Sequence, residues 1–148
     1  TAVHNAIENW SLYGIEDIAP EYRGYFDGFL AWVQEMRPEV LGNECRLYHK
    51  ALRYAGTADL SCIIKGKAVM VDVKTTSQLQ EMLARVQLEA YVKGFESHNV
   101  QFDGKAILHL RRDGTYKYEP YPLRDPDAWR VFGALLTVHG YIQKFKNR

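Results

Sequence analysis

Only two cysteines occur in this chain of 148 residues, Cys45 and Cys62, and they lack the CxxC spacing of a zinc or iron–sulfur site. Both fall in segments that read as strands, where they are expected as buried thiols rather than as a disulfide, in keeping with an intracellular chain. Long hydrophobic runs are also missing. No apolar stretch approaches the roughly 20 residues that span a bilayer, and no signal peptide is visible, so no membrane partner is expected. Nor does charge of one sign dominate. Nineteen Lys and Arg stand against eighteen Asp and Glu, so a polyanionic partner has to be held by a local basic patch rather than by the overall field. No repeat or low-complexity segment interrupts the sequence. The sequence does not begin with an initiator methionine, so a processed, trimmed or partial chain is among the expectations, and whether residues precede Thr1 stays open.

What is present is an ordinary globular composition, 47% hydrophobic and 25% charged, which makes disorder away from the ends unexpected. The length is enough for one domain with a full core, and a single domain over residues 1–148 is expected. Val3, Ile7 and Trp10 are spaced for one face of a helix over residues 2–12, ending near Gly14. Pro20 opens a second, largely buried helix through Met36, closed by Pro38. After a Gly42–Asn43 turn, residues 44–49 and 53–64 read as strands, and Lys65-Gly66-Lys67 as a tight turn into a third strand over 68–75.

Ser77 with Gln80 forms a capping-box pattern, and Leu79, Met82, Leu83, Val86 and Ala90 repeat at helical spacing to about Gly94. Residues 105–111 and 115–121 make a hairpin around Asp113–Gly114. Asp125–Pro126 then starts a last helix carrying Trp129, Phe132, Leu135, Leu136, Ile142 and Phe145. The expected class is α/β, a mixed β-sheet flanked by helices in the order ααβββαββα.

The chemistry concentrates in the third strand. Its side chains alternate faces, so Asp72 and Lys74 project from one side while Val69, Val71 and Val73 fill the other. If the turn is the pair Lys65–Gly66, register sets Leu60 against Val71, Cys62 against Val69, and Asp59 directly across from Asp72. Charges among apolar strands cost several kcal/mol unless something pairs with them, and a divalent cation bridging the two aspartates would do so. The Val73 carbonyl, between Asp72 and Lys74, offers a further oxygen ligand. Hard oxygen ligands suit Mg²⁺, which lowers the pKa of a bound water and acts as a Lewis acid toward a phosphate, while Lys74 is placed to orient that water and offset developing charge. The expected reaction is phosphodiester hydrolysis.

Ala58-Asp59 followed by Asp72-Val73-Lys74 resembles the signature of the PD-(D/E)XK nuclease superfamily. Gly56-Thr57-Ala58-Asp59, Asp72-Val73-Lys74-Thr75 and Gln87-Leu88-Glu89-Ala90-Tyr91 resemble the GxxD, DxK(T) and QxxxY blocks of its RecB-like branch. That branch includes phage recombination exonucleases and a mitochondrial genome-maintenance exonuclease. Thr1-Ala2-Val3-His4 with Glu8 resembles the opening block, whose histidine is a metal ligand, although the glycine that usually precedes it is absent. The resemblance implies a restriction-endonuclease-like core in which His4, Asp59, Asp72 and the Val73 carbonyl bind Mg²⁺ or Mn²⁺. Asp59, Asp72 and Lys74 would be catalytic, and Gln87 and Tyr91, stacked four residues apart on one helix stripe, would steady Lys74 or touch nucleic acid. The cysteine cluster of the iron–sulfur members is missing, so no such cluster is expected.

The implied partner is DNA, with free ends or single-stranded, joined by a recombination or replication protein, in the cytoplasm of a bacterium or of a phage-infected cell. The other readings are a structure-specific endonuclease and a catalytically silent DNA-binding subunit with the same fold. Blander roles compete at single positions. His4 is also spaced to pair with Glu8 on an exposed helix, and Gln87 and Tyr91 to pack at a boundary. Glu44 either reaches the metal edge or caps its turn. His49, His98, His109 and His139 have no companion at ligand spacing. Tyr91, Tyr116 and Tyr118 are candidate stacking surfaces for bases. Arg111 with Arg112, and Lys144 with Lys146 and Arg148, are candidate phosphate contacts.

Overall fold

The computed structural model describes residues 1–78 and 80–146. Leu79 and Arg148, both singled out in the sequence, lie outside the described residues. Helix α1 spans Ala2–Tyr13 and ends on Gly14 in the left-handed conformation. A 3-10 turn over Pro20–Tyr22 leads into α2, Arg23–Met36. Strands β1, β2 and β3 follow at Glu39–Tyr48, Ala55–Ile64 and Lys67–Lys74, then α3 at Glu81–Glu96, β4 at Gly104–Leu110, β5 at Tyr116–Tyr121 and α4 at Pro126–Lys146.

The five strands form one mixed sheet in sequential order, antiparallel except where β3 and β4 run parallel across the α3 crossover. Helices α1 and α2 cover one face through Val3, Ile7, Phe26, Phe29 and Trp32, which meet Leu60, Cys62, Val69, Val71 and Val73. On the other face Ala84, Leu88 and Val92 of α3 pack on Leu47, Ala58, Met70 and Ile107. The class is therefore α/β, with a five-stranded mixed sheet flanked by helices.

The β2–β3 register is the one that the sequence dictates, with Leu60 opposite Val71 and Cys62 opposite Val69. A two-residue loop makes it so. Ile64 pairs with Lys67, leaving Lys65 and Gly66 at positive φ, 52° and 77°, the backbone twist that suits a tight hairpin. Cys62 is buried, Cys45 half-buried, and both are free thiols.

Three expectations need correction. Gly42–Asn43 is not a turn: β1 already begins at Glu39 and runs through these residues, with a register shift between Val40 and Gly42. A β-bulge uses the same conformationally permissive residues that mark a turn. Helix α3 starts at Glu81 without a side-chain cap, so Ser77 and Gln80 do not form the capping box. Met82 and Leu83, expected on its buried stripe, are exposed; Ala84, Leu88 and Val92 form the stripe that faces the sheet, and Val86 and Ala90 are buried on another side of the helix. The last helix, α4, buries only Ala128 fully, leaving Leu135, Ile142 and Phe145 about half exposed.

One core contact was not read from the sequence. Glu89 of α3 and Lys105 of β4, each 1% exposed, form a buried ion pair. It fixes the rotation of α3 on the sheet, because a misaligned helix would strand both charges in a dry interior. Replacing Glu89 or Lys105 alone with alanine is expected to cost about 3–5 kcal/mol in urea unfolding. The double change Glu89→Leu with Lys105→Met should recover most of that loss. A single replacement with no effect would contradict this role.

Candidate active site

Side-chain alternation breaks at Asp59. Ala58 packs on the α3 face and Leu60 on the α1–α2 face, although two residues apart in one strand should share a side. The irregularity extends to β1, where Glu44, opposite Asp59 by register, has φ 49°. Asp59 is thereby turned edge-on, within reach of groups from both layers. Continued register places Asp72 on its other side, so Glu44, Asp59 and Asp72 stand in a row across three strands.

From the α1 side, His4 brings its Nε2 to 3.3 Å from Asp59 Oδ2 and 3.0 Å from the Val73 carbonyl oxygen. The Thr1 hydroxyl bonds Nδ1 of the same ring. Asp59 Oδ2 also accepts the Val73 backbone N–H at 2.7 Å. The hydrogen bond to Asp59 raises the His4 pKa despite burial. Burial pushes the Asp59 carboxyl up, but bonds to His4 and Asp72 outweigh it and leave it below its ordinary value. Asp72 behaves oppositely. At 4% exposure it is pushed up to about 7 by burial and by the adjacent Asp59 charge. The Asp59–Asp72 pair thus divides into one carboxylate that stays ionised and one that holds a proton near neutrality.

From the α3 side comes a chain of polar contacts. Lys74 Nζ lies 2.9 Å from Asp72 Oδ2 and donates to Gln87 Oε1 at 2.7 Å, while Gln87 Nε2 donates to the Tyr91 hydroxyl at 2.7 Å. The ammonium needs an acceptor, which fixes the orientation of the amide and leaves the Tyr91 hydrogen free to donate elsewhere. Gly56 makes room for this. A Cβ there would lie 2.7 Å from Tyr91 Cε1, so only glycine lets the ring lie against β2.

Among the described residues, no three His, Cys, Asp or Glu side chains stand together as a ready-made metal cage. The donor set nevertheless suits a hard cation once the Val73 carbonyl is counted. Octahedral Mg²⁺ holds its ligands at about 2.1 Å, which puts neighbouring ligand atoms about 3.0 Å apart. The His4–Val73 and His4–Asp59 separations are of that size. Asp72 Oδ2 is buried without a well-aligned hydrogen bond despite the nearby Lys74, an orphaned oxygen that a cation would satisfy. An acidic recess of about 440 Å³, lined by Thr1, His4, Asn5, Glu8, Glu44 and Asp59, opens to solvent at His4 and Asp59.

All the candidate residues His4, Asp59, Asp72, Val73, Lys74, Gln87 and Tyr91 therefore meet in one region, reached from α1, β2, β3 and α3. Glu44 belongs to its mouth, where burial and Asp59 raise its pKa, rather than to a turn. Tyr116 and Tyr118 do not join them: the first bonds Glu35 and the second stacks on Trp32, both on the α2 side. Arg111 and Arg112 line a separate hollow with Thr75, Thr76 and Ser77, just beyond Lys74. His109 bonds the Thr76 carbonyl at 2.7 Å, and His98 the Tyr48 carbonyl at 2.7 Å. Sequence reasoning missed Tyr54 and the α3–α4 groove beside Lys74. The aromatic two residues before Gly56 was the only local signal for it.

No family profile matches the chain, and no curated protein matches it. Among solved structures, the crystal structure of SSO0001 is similar over 93% of this chain and 72% of that one, at 15% identity and a TM-score of 0.45. Among the described residues, no helix is long and apolar enough to cross a membrane.

The Asp72 shift has a signed consequence. Between the ordinary 3.8 and about 7 the folded chain keeps a proton that the unfolded chain releases, so metal-free protein loses stability as pH rises through this window. Asp72→Asn removes that loss. In EDTA, its gain over the parent in thermal unfolding should be small at pH 4 and on the order of a few kcal/mol at pH 8. An equal gain at both pH values would contradict the assignment.

Proposed function

We propose that this chain is a divalent-metal-dependent deoxyribonuclease of the RecB-like branch of the PD-(D/E)XK superfamily, its mixed sheet and helices forming that superfamily's core, and that it trims DNA ends during recombination, repair or replication. The observation that carries this reading is the convergence of His4, Asp59, Asp72 and Lys74 from segments far apart in the sequence. A structural ion pair needs two partners. Here an imidazole, two adjacent carboxylates and an ammonium follow one another in contact, His4 on Asp59, Asp59 beside Asp72 and Asp72 on Lys74, at considerable electrostatic cost.

His4 Nε2, Asp59, Asp72 and the Val73 carbonyl would hold Mg²⁺ or Mn²⁺. When bound, the ion supplies an acidified water and charge stabilisation at the phosphate oxygens. The rest falls to the chain. To hold such an ion, His4 would have to give up the proton on Nε2 and Asp72 its own, so metal affinity should rise with pH. Lys74, held by Asp72 and Gln87, presents its remaining hydrogens toward the reacting phosphate, where it orients the attacking water and offsets added negative charge. Tyr91, an acceptor from Gln87, directs its hydroxyl hydrogen to a phosphate oxygen.

A time course on end-labelled linear and circular DNA tests this. With Mg²⁺ or Mn²⁺ the purified chain should degrade linear DNA and leave circles intact, and EDTA should silence it. Asp72→Asn and Lys74→Ala should each reduce cleavage at least about 1000-fold while thermal unfolding stays cooperative. Cut circles would indicate a structure-specific endonuclease. Binding without turnover would indicate a silent DNA-binding subunit, and full activity in both variants would remove the site assignment.

A further inference from the structure

A second hollow leaves Lys74 on the side away from the acidic recess and runs between α3 and α4. It encloses about 780 Å³, within the range of sites that take organic ligands. Leu83 and Ala84 of α3 form one wall, Phe132, Leu135 and Leu136 of α4 the other, and Lys74, Gln87 and Tyr91 close the near end. Tyr54 stands between them. Its ring meets Phe132 edge-on at 4.7 Å, Trp129 stacks behind Phe132 at 5.8 Å, and the Tyr54 hydroxyl donates to the Ala90 carbonyl at 2.6 Å. These contacts set the aromatic wall before any ligand arrives. Leu83 and Leu135 remain 49% and 50% exposed, an unfavourable display of apolar surface in a concave place.

Resting on the nuclease reading, we propose that this groove seats the unpaired bases of a single DNA strand whose phosphate lies at Lys74. Continuity is the first argument, since three candidate catalytic residues form part of the groove's lining. Charge is the second. Among the described residues of that lining Lys74 is the only Lys or Arg, so the groove offers one cationic phosphate contact, and the rest is neutral at pH 7, with Leu83, Ala84, Phe132, Leu135 and Leu136 as its apolar walls. A duplex presents phosphates outward and keeps its base faces stacked inside, which matches such a surface poorly. A single strand carries flat apolar faces next to each phosphate, and stacking on aromatic or aliphatic walls tolerates any base. Across the loop after β3, Arg111 and Arg112 line the hollow that shares Thr76 with this groove, in position to take the phosphates that follow.

Fluorescence anisotropy in EDTA, with a labelled oligo(dT), an abasic strand of equal length and a duplex, tests the proposal without cleavage. The oligo(dT) should bind at least about tenfold tighter than either comparison. Leu83→Asp and Leu135→Asp, at half-exposed positions that folding tolerates, should each erase that difference. Equal binding of the abasic strand or the duplex, no effect of either variant, or no binding at all would overturn the proposal. Cleavage with Mn²⁺, measured in parallel, reports on the nuclease reading separately: base-dependent binding without turnover would remove that reading and leave the groove assignment in place.

Discussion

Two carboxylates side by side in a nearly dry sheet cannot both stay ionised without nearby positive charge. Asp59 and Asp72 are in that position, and the chain answers with an imidazole from one layer and an ammonium from the other. Asp59 keeps its charge because His4 and the Val73 N–H bond it, whereas Asp72 is raised to about 7. The buried row thus has two protonation states of similar free energy near neutral pH, the condition under which a group can give up a proton to a ligand at little cost.

Much of the surrounding architecture serves to bring these groups together. The break in alternation at Asp59 lets it meet groups from both faces of the sheet, which no regular strand residue does. The parallel β3–β4 pairing requires a crossover, and α3 in that crossover carries Gln87 and Tyr91 to the end of β3, where Lys74 lies. The Glu89–Lys105 pair then fixes which stripe of α3 faces the sheet. Fold and site are set by the same contacts.

The sequence revealed the pairing of Asp59 with Asp72, though not the place of Glu44, because register in a hairpin depends on short-range facts: a two-residue loop and apolar residues of period two. It revealed the Gln87–Tyr91 stripe because helical spacing is equally local, whereas the reach of that stripe to Lys74 was implied only by the family resemblance. The start of α3 was misread for the converse reason. Ser77 and Gln80 have the chemistry of a cap, but the helix begins where packing on the sheet begins, at Glu81. Gly42 and Asn43 were misread because turns and bulges draw on the same residues. The α3–α4 groove was invisible, since it depends on how two helices distant in sequence lie against each other. The buried Lys105 was hidden by a residue type that usually marks the surface.

The close approach of Gly56 to the Tyr91 ring reaches beyond local packing. A strand backbone and a helix side chain share one volume, so these two positions act as a single unit of variation. A methyl group at residue 56 would force the phenol aside, and with it the amide and ammonium that it helps to hold. Any descendant of this chain that acquires a side chain there would need a smaller residue at 91, and would lose the hydroxyl in the exchange.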